Sequence, residues 1–294
     1  MPDLSWKFEY AAREHAIRKG EEIAESSGFK SFPIDPFVVL NNERDLIYAE
    51  GADLGEAFDG RLNYVGPRFL LCYNTKYNVW PKHGPHHPKV RFTIAHELGH
   101  FYLENHRRYL VREKKPHGSI SEFESHSRVE READCFASGL LMPSHLLGPR
   151  VNCELDATVD TIKNAAIEFD VSLTGMMVRW TQVSHFPCAT LCIRDGIIQW
   201  GFVSESFRKA GFWRARRDQQ PTSRQGSAFL SLHSRPSEYA EGSGRGFSTD
   251  WIESDGKRVP VDEFYVVIPY SRCVLVFLTA DEDELPKRWD DELD

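Results

Sequence analysis

Residues 91–105 read RFTIAHELGHFYLEN. His96 and His100 stand four positions apart, with Glu97 directly after the first, in a run that is otherwise mostly apolar. Four positions make about one helical turn, so both imidazoles share a face and can aim at one ion. Glu97 is rotated about 100° to the side, where it can hold a water rather than bind the ion. This is the H-E-x-x-H spacing of zinc peptidases, in which three protein ligands leave the fourth place to water. Phe92, Ile94, Ala95, Leu98, Phe101 and Tyr102 give the helix its apolar face. In a chain with 12 histidines a chance match is the alternative, so a third ligand has to come from elsewhere.

A second helix supplies it. SRVEREADCFASGLLM (127–142) is apolar at Val129, Ala133, Phe136, Ala137 and Leu140 and is stopped by Pro143. Glu130 is the candidate ligand. Asp134, four residues on and on the same face, can accept a hydrogen bond from the outer nitrogen of one ligand histidine and fix its tautomer. Glu132 is the rival for the ligand position, and an ordinary charged face over a core is the alternative to both.

The rest of the chain sets the frame. A helix is expected over 6–27. Pro33, Asp35 and Pro36 mark a helix start in PIDPFVVLNN (33–42). Strands are expected at 46–50 and at 60–74, the latter as a hairpin around Gly66-Pro67. Residues 75–88 read as a loop, 89–104 as the HELGH helix, and the polar stretch to about Ser127 as another loop. Helices follow at 160–170 and 172–184. After Pro187, strands dominate at 188–204 and 263–280, with a Gly-, Ser- and Arg-rich stretch between them. The class is therefore α+β: a mostly helical domain with a small sheet over 1–186, then a β-rich domain over 187–294. The acidic end, DEDELPKRWDDELD, reads as a solvated tail.

Composition narrows the setting. No stretch approaches the ~20 apolar residues of a membrane span, and the first residues lack an apolar signal core, so a cytoplasmic protein away from membranes is expected. The six cysteines (Cys72, Cys135, Cys153, Cys188, Cys192, Cys273) form no C-x-x-C pair and read as reduced thiols. A net charge of −8 argues against wholesale nucleic-acid binding but leaves room for a local basic patch.

FTIAHELGH, a polar gap and VEREADCFASGLLMP, in that order, resemble the ImmA/IrrE family of metallo-endopeptidases. The preceding PIDPFVVL and RFLLCYN, and the FDVSLTGMMVRW stretch that follows, are similar to it as well, so the resemblance spans roughly 10–185. It implies a zincin-like peptidase domain with one zinc per chain on His96, His100 and Glu130, and Glu97 as the catalytic glutamate. It also implies a helix-turn-helix transcriptional repressor as substrate, cleaved to release stress or anti-phage defence genes. A GAF-like sensory domain would follow. The long 75–88 loop departs from the family and leaves the cleft shape open. In this scheme Glu97 takes a proton from water and passes it to the leaving amine. His126, Tyr102 and Tyr73 are the candidates to stabilise the oxyanion. Cys72 is a candidate thiolate to silence the metal, with buried packing as its alternative.

FRKAGFWRARRD (207–218) is the second candidate site. Arg208, Lys209, Arg214, Arg216 and Arg217 alternate with Phe207, Phe212 and Trp213, a layout that suits single-stranded nucleic acid. Single-stranded DNA is accordingly a candidate activator: some relatives beside anti-phage defence operons look to be switched on by it, and this layout resembles what such a switch would need. A solvated basic loop is the alternative. Against the regulated peptidase stand two competing functions: an idle sensor that docks a repressor, and a toxin-like hydrolase.

Overall fold

The computed structural model describes residues 5–80, 82–113, 117–119, 127–153, 158–221, 238–254 and 256–286. The chain divides into two compact units, residues 1–146 with 164–175, and residues 147–163 with 176–294.

The first unit opens with α1 (Ser5–Ser26). It ends where Gly28 takes a left-handed φ of 85°, a conformation that closes helices at little cost only for glycine. α2 (Pro36–Asn42) starts as the sequence predicts: the Asp35 carboxylate accepts from the Phe37 N–H at 3.0 Å and Pro36 fills the first turn. A four-stranded sheet follows, in the order β1 (Ile47–Ala52), β3 (Phe69–Asn74), β2 (Gly60–Tyr64), β4 (His117–Ser119). β1 runs parallel to β3, and β2 is antiparallel to both β3 and β4. Alternation gives the sheet two faces. Leu62 opposes Leu71 and Tyr64 opposes Phe69, and on this face Phe69 meets Phe101 edge-on at 5.3 Å.

Phe101 belongs to α3 (Pro88–Tyr102), the HELGH helix, which is buried almost throughout. The 75–88 segment is more ordered than a plain loop. A turn of 3-10 helix runs through Lys76–Val79, and the Asn78 side chain accepts from the His87 N–H at 2.9 Å. His87 Nδ1 in turn caps α3 by accepting from the Lys89 N–H at 3.1 Å. Inside α3, the buried Arg91 donates to the Ile34 carbonyl at 2.5 Å and to the Asp170 carbonyl at 3.0 Å. A buried guanidinium needs such partners, and these fix the helix against two distant segments. The polar stretch after α3 is not one loop: it contains α4 (Glu104–Glu113) and β4. α4 buries only His106 and Leu110, too sparse a stripe for the sequence to announce a helix.

α5 (Arg128–Leu141) crosses both α1 and α3 closely, and glycine makes both crossings. A Cβ on Gly139 would sit 2.2 Å from the Ile17 carbonyl, and one on Gly20 2.2 Å from the Phe136 carbonyl. A Cβ on Gly99 would come within 3.2 Å of the Ala133 backbone.

The second unit takes in α6 (Ser144–Val151) from Leu147 onward, the first residues of α7 (Val159–Phe169) and most of α8 (Leu173–Val183). These packing units differ from a cut at residue 186. The reason is a hydrogen-bonded seam: the Thr190 hydroxyl donates to the Met177 carbonyl at 3.0 Å and lies 2.8 Å from the Thr181 hydroxyl. Thr190 is on β5 (Cys188–Arg194), which turns through Asp195 and Gly196, both at positive φ, into β6 (Ile197–Val203). After β6 come α9 (Glu205–Lys209), β7 (Phe212–Ala215), β8 (Glu241–Phe247), β9 (Ile252–Ser254), β10 (Pro260–Ile268) and β11 (Cys273–Thr279). The main sheet is antiparallel throughout, in the order β6-β5-β11-β10-β8. Ala189, Leu191, Val276 and Leu278 on one face close a core with Phe207, Phe212 and Trp251. The α+β class holds in both units, one mainly helical around a small sheet, the other β-rich.

Candidate metal centre

α3 and α5 bring one donor set together. His96 Nε2 and His100 Nε2 lie 3.1 Å apart. Glu130 reaches them from α5, with Oε2 3.3 Å from His96 Nε2 and Oε1 3.6 Å from His100 Nε2. The three ligand atoms all fall within 4.8 Å of one another, as a group able to hold a metal ion. Two nitrogens bound tetrahedrally at ~2.0–2.1 Å would stand about 3.3 Å apart, close to the spacing found. Glu132, the rival glutamate, is aimed elsewhere: its carboxylate meets His106 and Arg128.

Asp134 stands where the spacing puts it. Its Oδ1 is 2.8 Å from His96 Nδ1, turning Nε2 toward Glu130. Burial alone would strip a proton from His96, but the hydrogen bonds it donates to Asp134 and Glu130 and the charges of Asp134 and Glu97 prevail and push its pKa up to about 10. Two imidazoles among three carboxylates make a site that attracts positive charge, and the nitrogen and oxygen donors suit zinc or another divalent ion of similar softness. The residues therefore fit the group that the spacing implies.

Glu97 is fully buried beside this set. Gly60 of β2 lies over it: a Cβ there would come 2.6 Å from Glu97 Oε1 and 3.0 Å from its Cγ. The close approach of strand to glutamate is thus a property of that glycine, which nothing in the sequence pattern marks out.

The other candidates separate. Tyr102 donates to Glu43 at 2.7 Å and stacks on Phe136, and burial together with that hydrogen bond pushes its pKa strongly upward. Tyr73 lays its ring against Gly51 and meets Phe37 edge-on at 5.5 Å. His126 lies outside the described residues. Cys72 pairs with Arg61 and Glu50, on the sheet face opposite the one that meets α3. Burial raises its thiol pKa, so it is no ready thiolate.

In 207–218 the aromatics part company. Phe207 and Phe212 are fully buried in the core of the second unit, so neither can stack on a base as the sequence layout suggests. Trp213 is 48% exposed. Arg208 donates to the Val203 carbonyl at 2.8 Å and Arg216 to the Thr249 carbonyl at 2.8 Å, both closing local structure. Lys209 pairs with Glu205 at 3.0 Å, and Arg214 with Glu253 at 2.7 Å, on the surface. Arg217 is exposed.

Comparison with known proteins falls on the same residues. Residues 82–180 match the Peptidase_M78 family model, described as the IrrE N-terminal-like domain. All three donors, Glu97 and Asp134 lie inside the match, whereas the upstream part of the resemblance, 10–81, lies outside it. Peptidase_M78 is by name a peptidase family, and the donor set is what a metal-dependent member would need. No curated protein matches the chain. Among solved structures, a Mycobacterium tuberculosis transcriptional regulator is similar, with a TM-score of 0.55 at 14% identity, covering 91% of this chain and 76% of its own. At that identity the likeness is one of fold. No described helix is long and apolar enough to cross a membrane.

Proposed function

We propose that this chain is a zinc-dependent endopeptidase that cleaves a helix-turn-helix transcriptional repressor and so releases stress or defence genes. One observation carries the peptidase reading: a His96, His100, Glu130 donor set beside a fully buried Glu97 under the glycine of a strand, all but the strand within a peptidase-family match. Zinc, when bound, supplies a Lewis acid that polarises a carbonyl and acidifies water. Asp134 holds the His96 ring and its tautomer. Glu97 takes the proton of the attacking water and delivers it to the leaving amine. Its position away from bulk solvent keeps that proton for the reaction.

The repressor substrate follows from the family resemblance, and the fold shared with a protein named as a transcriptional regulator is compatible with it. The functional division at residue 186 keeps the matched residues together as the peptidase, 1–186, and leaves 187–294, with its five-stranded antiparallel sheet, as a GAF-like regulatory domain. Single-stranded DNA is the activator, held by Trp213 with Lys209, Arg214 and Arg217, the exposed members of the basic segment. All six cysteines are free thiols, which supports a cytoplasmic setting.

The test mixes the zinc-loaded chain and a candidate repressor with single-stranded DNA, double-stranded DNA or neither. Cleavage at one site, absent with Glu97→Gln, is expected, and fastest with the single strand. No cleavage of any repressor by a metal-loaded chain rejects the function. Equal cleavage in all three mixtures rejects the DNA switch alone.

A further inference from the structure

The second ligand histidine has a chain of partners that the proposed function leaves without a role. His100 Nδ1 lies 3.2 Å from His106 Nδ1. His106 Nε2 lies 3.1 Å from Glu132 Oε2, and Glu132 Oε1 accepts from Arg128 Nε at 2.7 Å. Three helices contribute: α3 gives His100, α4 gives His106, and α5 gives Glu132 and Arg128. His106 is buried and the Glu132 side chain is only 17% exposed, so water competes little for these contacts.

Facing imidazole nitrogens at this distance need one donor and one acceptor. If His100 Nε2 is a metal ligand, it must present a lone pair, and the ring proton sits on Nδ1. That proton is donated to His106 Nδ1. His106 then carries its own proton on Nε2 and donates it to Glu132, whose charge Arg128 balances. Every atom is satisfied in a single hydrogen arrangement, and that arrangement is the one that aims His100 Nε2 at His96 and Glu130.

We propose that His106 and Glu132 are positioning residues that fix the ring and tautomer of His100 for the metal, as Asp134 does for His96. The proposal rests on the metal-centre reading. It makes the two ligand histidines unequal: His96 leans on a carboxylate directly, whereas His100 is separated from its carboxylate by a neutral ring. The site thus gains a second orienting arm without a further negative charge in contact with a ligand.

The experiment measures zinc affinity by chelator competition and the visible spectrum of the cobalt-substituted chain. The variants are His106→Phe, His106→Asn, Glu132→Ala and Glu132→Gln. Affinity should fall roughly 10-fold or more in His106→Phe and Glu132→Ala, with shifted cobalt bands. His106→Asn keeps an acceptor near the Nδ1 position, and Glu132→Gln keeps one for His106, so both should recover most of the loss. Glu132→Ala, near the surface, guards against a folding artefact in His106→Phe: melting of its metal-free form should change little while its metal affinity falls. A wild-type chain that binds one ion, with unchanged affinity and cobalt bands in both His106→Phe and Glu132→Ala, overturns this inference and leaves the metal centre standing. A wild-type chain that takes up neither ion overturns the metal-centre reading, and this inference with it.

Discussion

α3 with α5 and the 207–218 segment both mix charged and apolar side chains, and they sort them in opposite ways. In α3 and α5 the polar groups His96, Glu97, His100 and Asp134 are inside. In 207–218 the cations are largely outside and Phe207 and Phe212 are inside. A buried charge has to be paired, bonded or bound to metal, so its spacing is constrained by what it must meet. An exposed arginine is satisfied by water, and its spacing carries little information. The same mixture of letters is therefore strong evidence in the first case and weak in the second.

The largest effects should fall on the inside set. Glu130→Ala, like His96→Ala, should leave the purified chain without its ion, while Glu97→Gln keeps the ion and lowers repressor cleavage roughly 10²–10⁴-fold. Elemental analysis beside a cleavage assay reads both. Loss of metal in Glu97→Gln, or its retention in Glu130→Ala, would reverse the assigned roles.

Next comes the contrast within β7. Phe212→Ala should destabilise the chain by about 3–5 kcal/mol, as for other fully buried aromatics, whereas Trp213→Ala beside it should stay within about 0.5 kcal/mol. Urea midpoints compare them, and equal midpoints would break the inside–outside assignment. Asp134→Ala should follow, weakening metal affinity about 10–100-fold without removing the ligands. An affinity equal to wild type would reduce the 2.8 Å approach to His96 to packing.

The smallest effect should be Arg214→Ala. Its pair with Glu253 is surface-exposed and worth about 0–1 kcal/mol. What should change is the salt dependence of single-stranded DNA binding, whose slope should drop by about 0.7 when one phosphate is no longer neutralised. A fall in stability well above 1 kcal/mol would mean that this arginine belongs with the structural cations Arg208 and Arg216.

The same contrast governs which features the amino-acid sequence reveals by itself. The HELGH helix, the α5 partner and the Asp134 contact follow from spacing, because polar groups in an apolar run have few places to go. α4 and His106 do not, because ENHRRYLVRE buries only His106 and Leu110, too short a stripe to set it apart from a polar loop in sequence. β8, EGSGRGF, has the composition of a loop and becomes a strand only by pairing along its length with β10. Gly20, Gly60 and Gly139 are invisible as contact points in sequence, since the atom that matters is the one each of them lacks. Phe212 and Trp213 are adjacent aromatics that composition cannot tell apart. The folded strand separates them, burying Phe212 and leaving Trp213 outside.

α5 is also keyed. Glu130 and Gly139 are nine residues apart, which at about 100° per residue places them on opposite sides of the helix, roughly 13 Å apart along its axis. One side offers a carboxylate to α3, and the other has only enough room to pass the Ile17 carbonyl. If the helix turned about its axis, a side chain would replace Gly139 at that crossing and collide with it. Orientation of the third ligand is thereby stored in a contact with the N-terminal helix, well away from the donors. Anyone transplanting these donors into another scaffold would have to carry that crossing along with them, and natural variation at Gly139 should be narrower than at many positions nearer the metal.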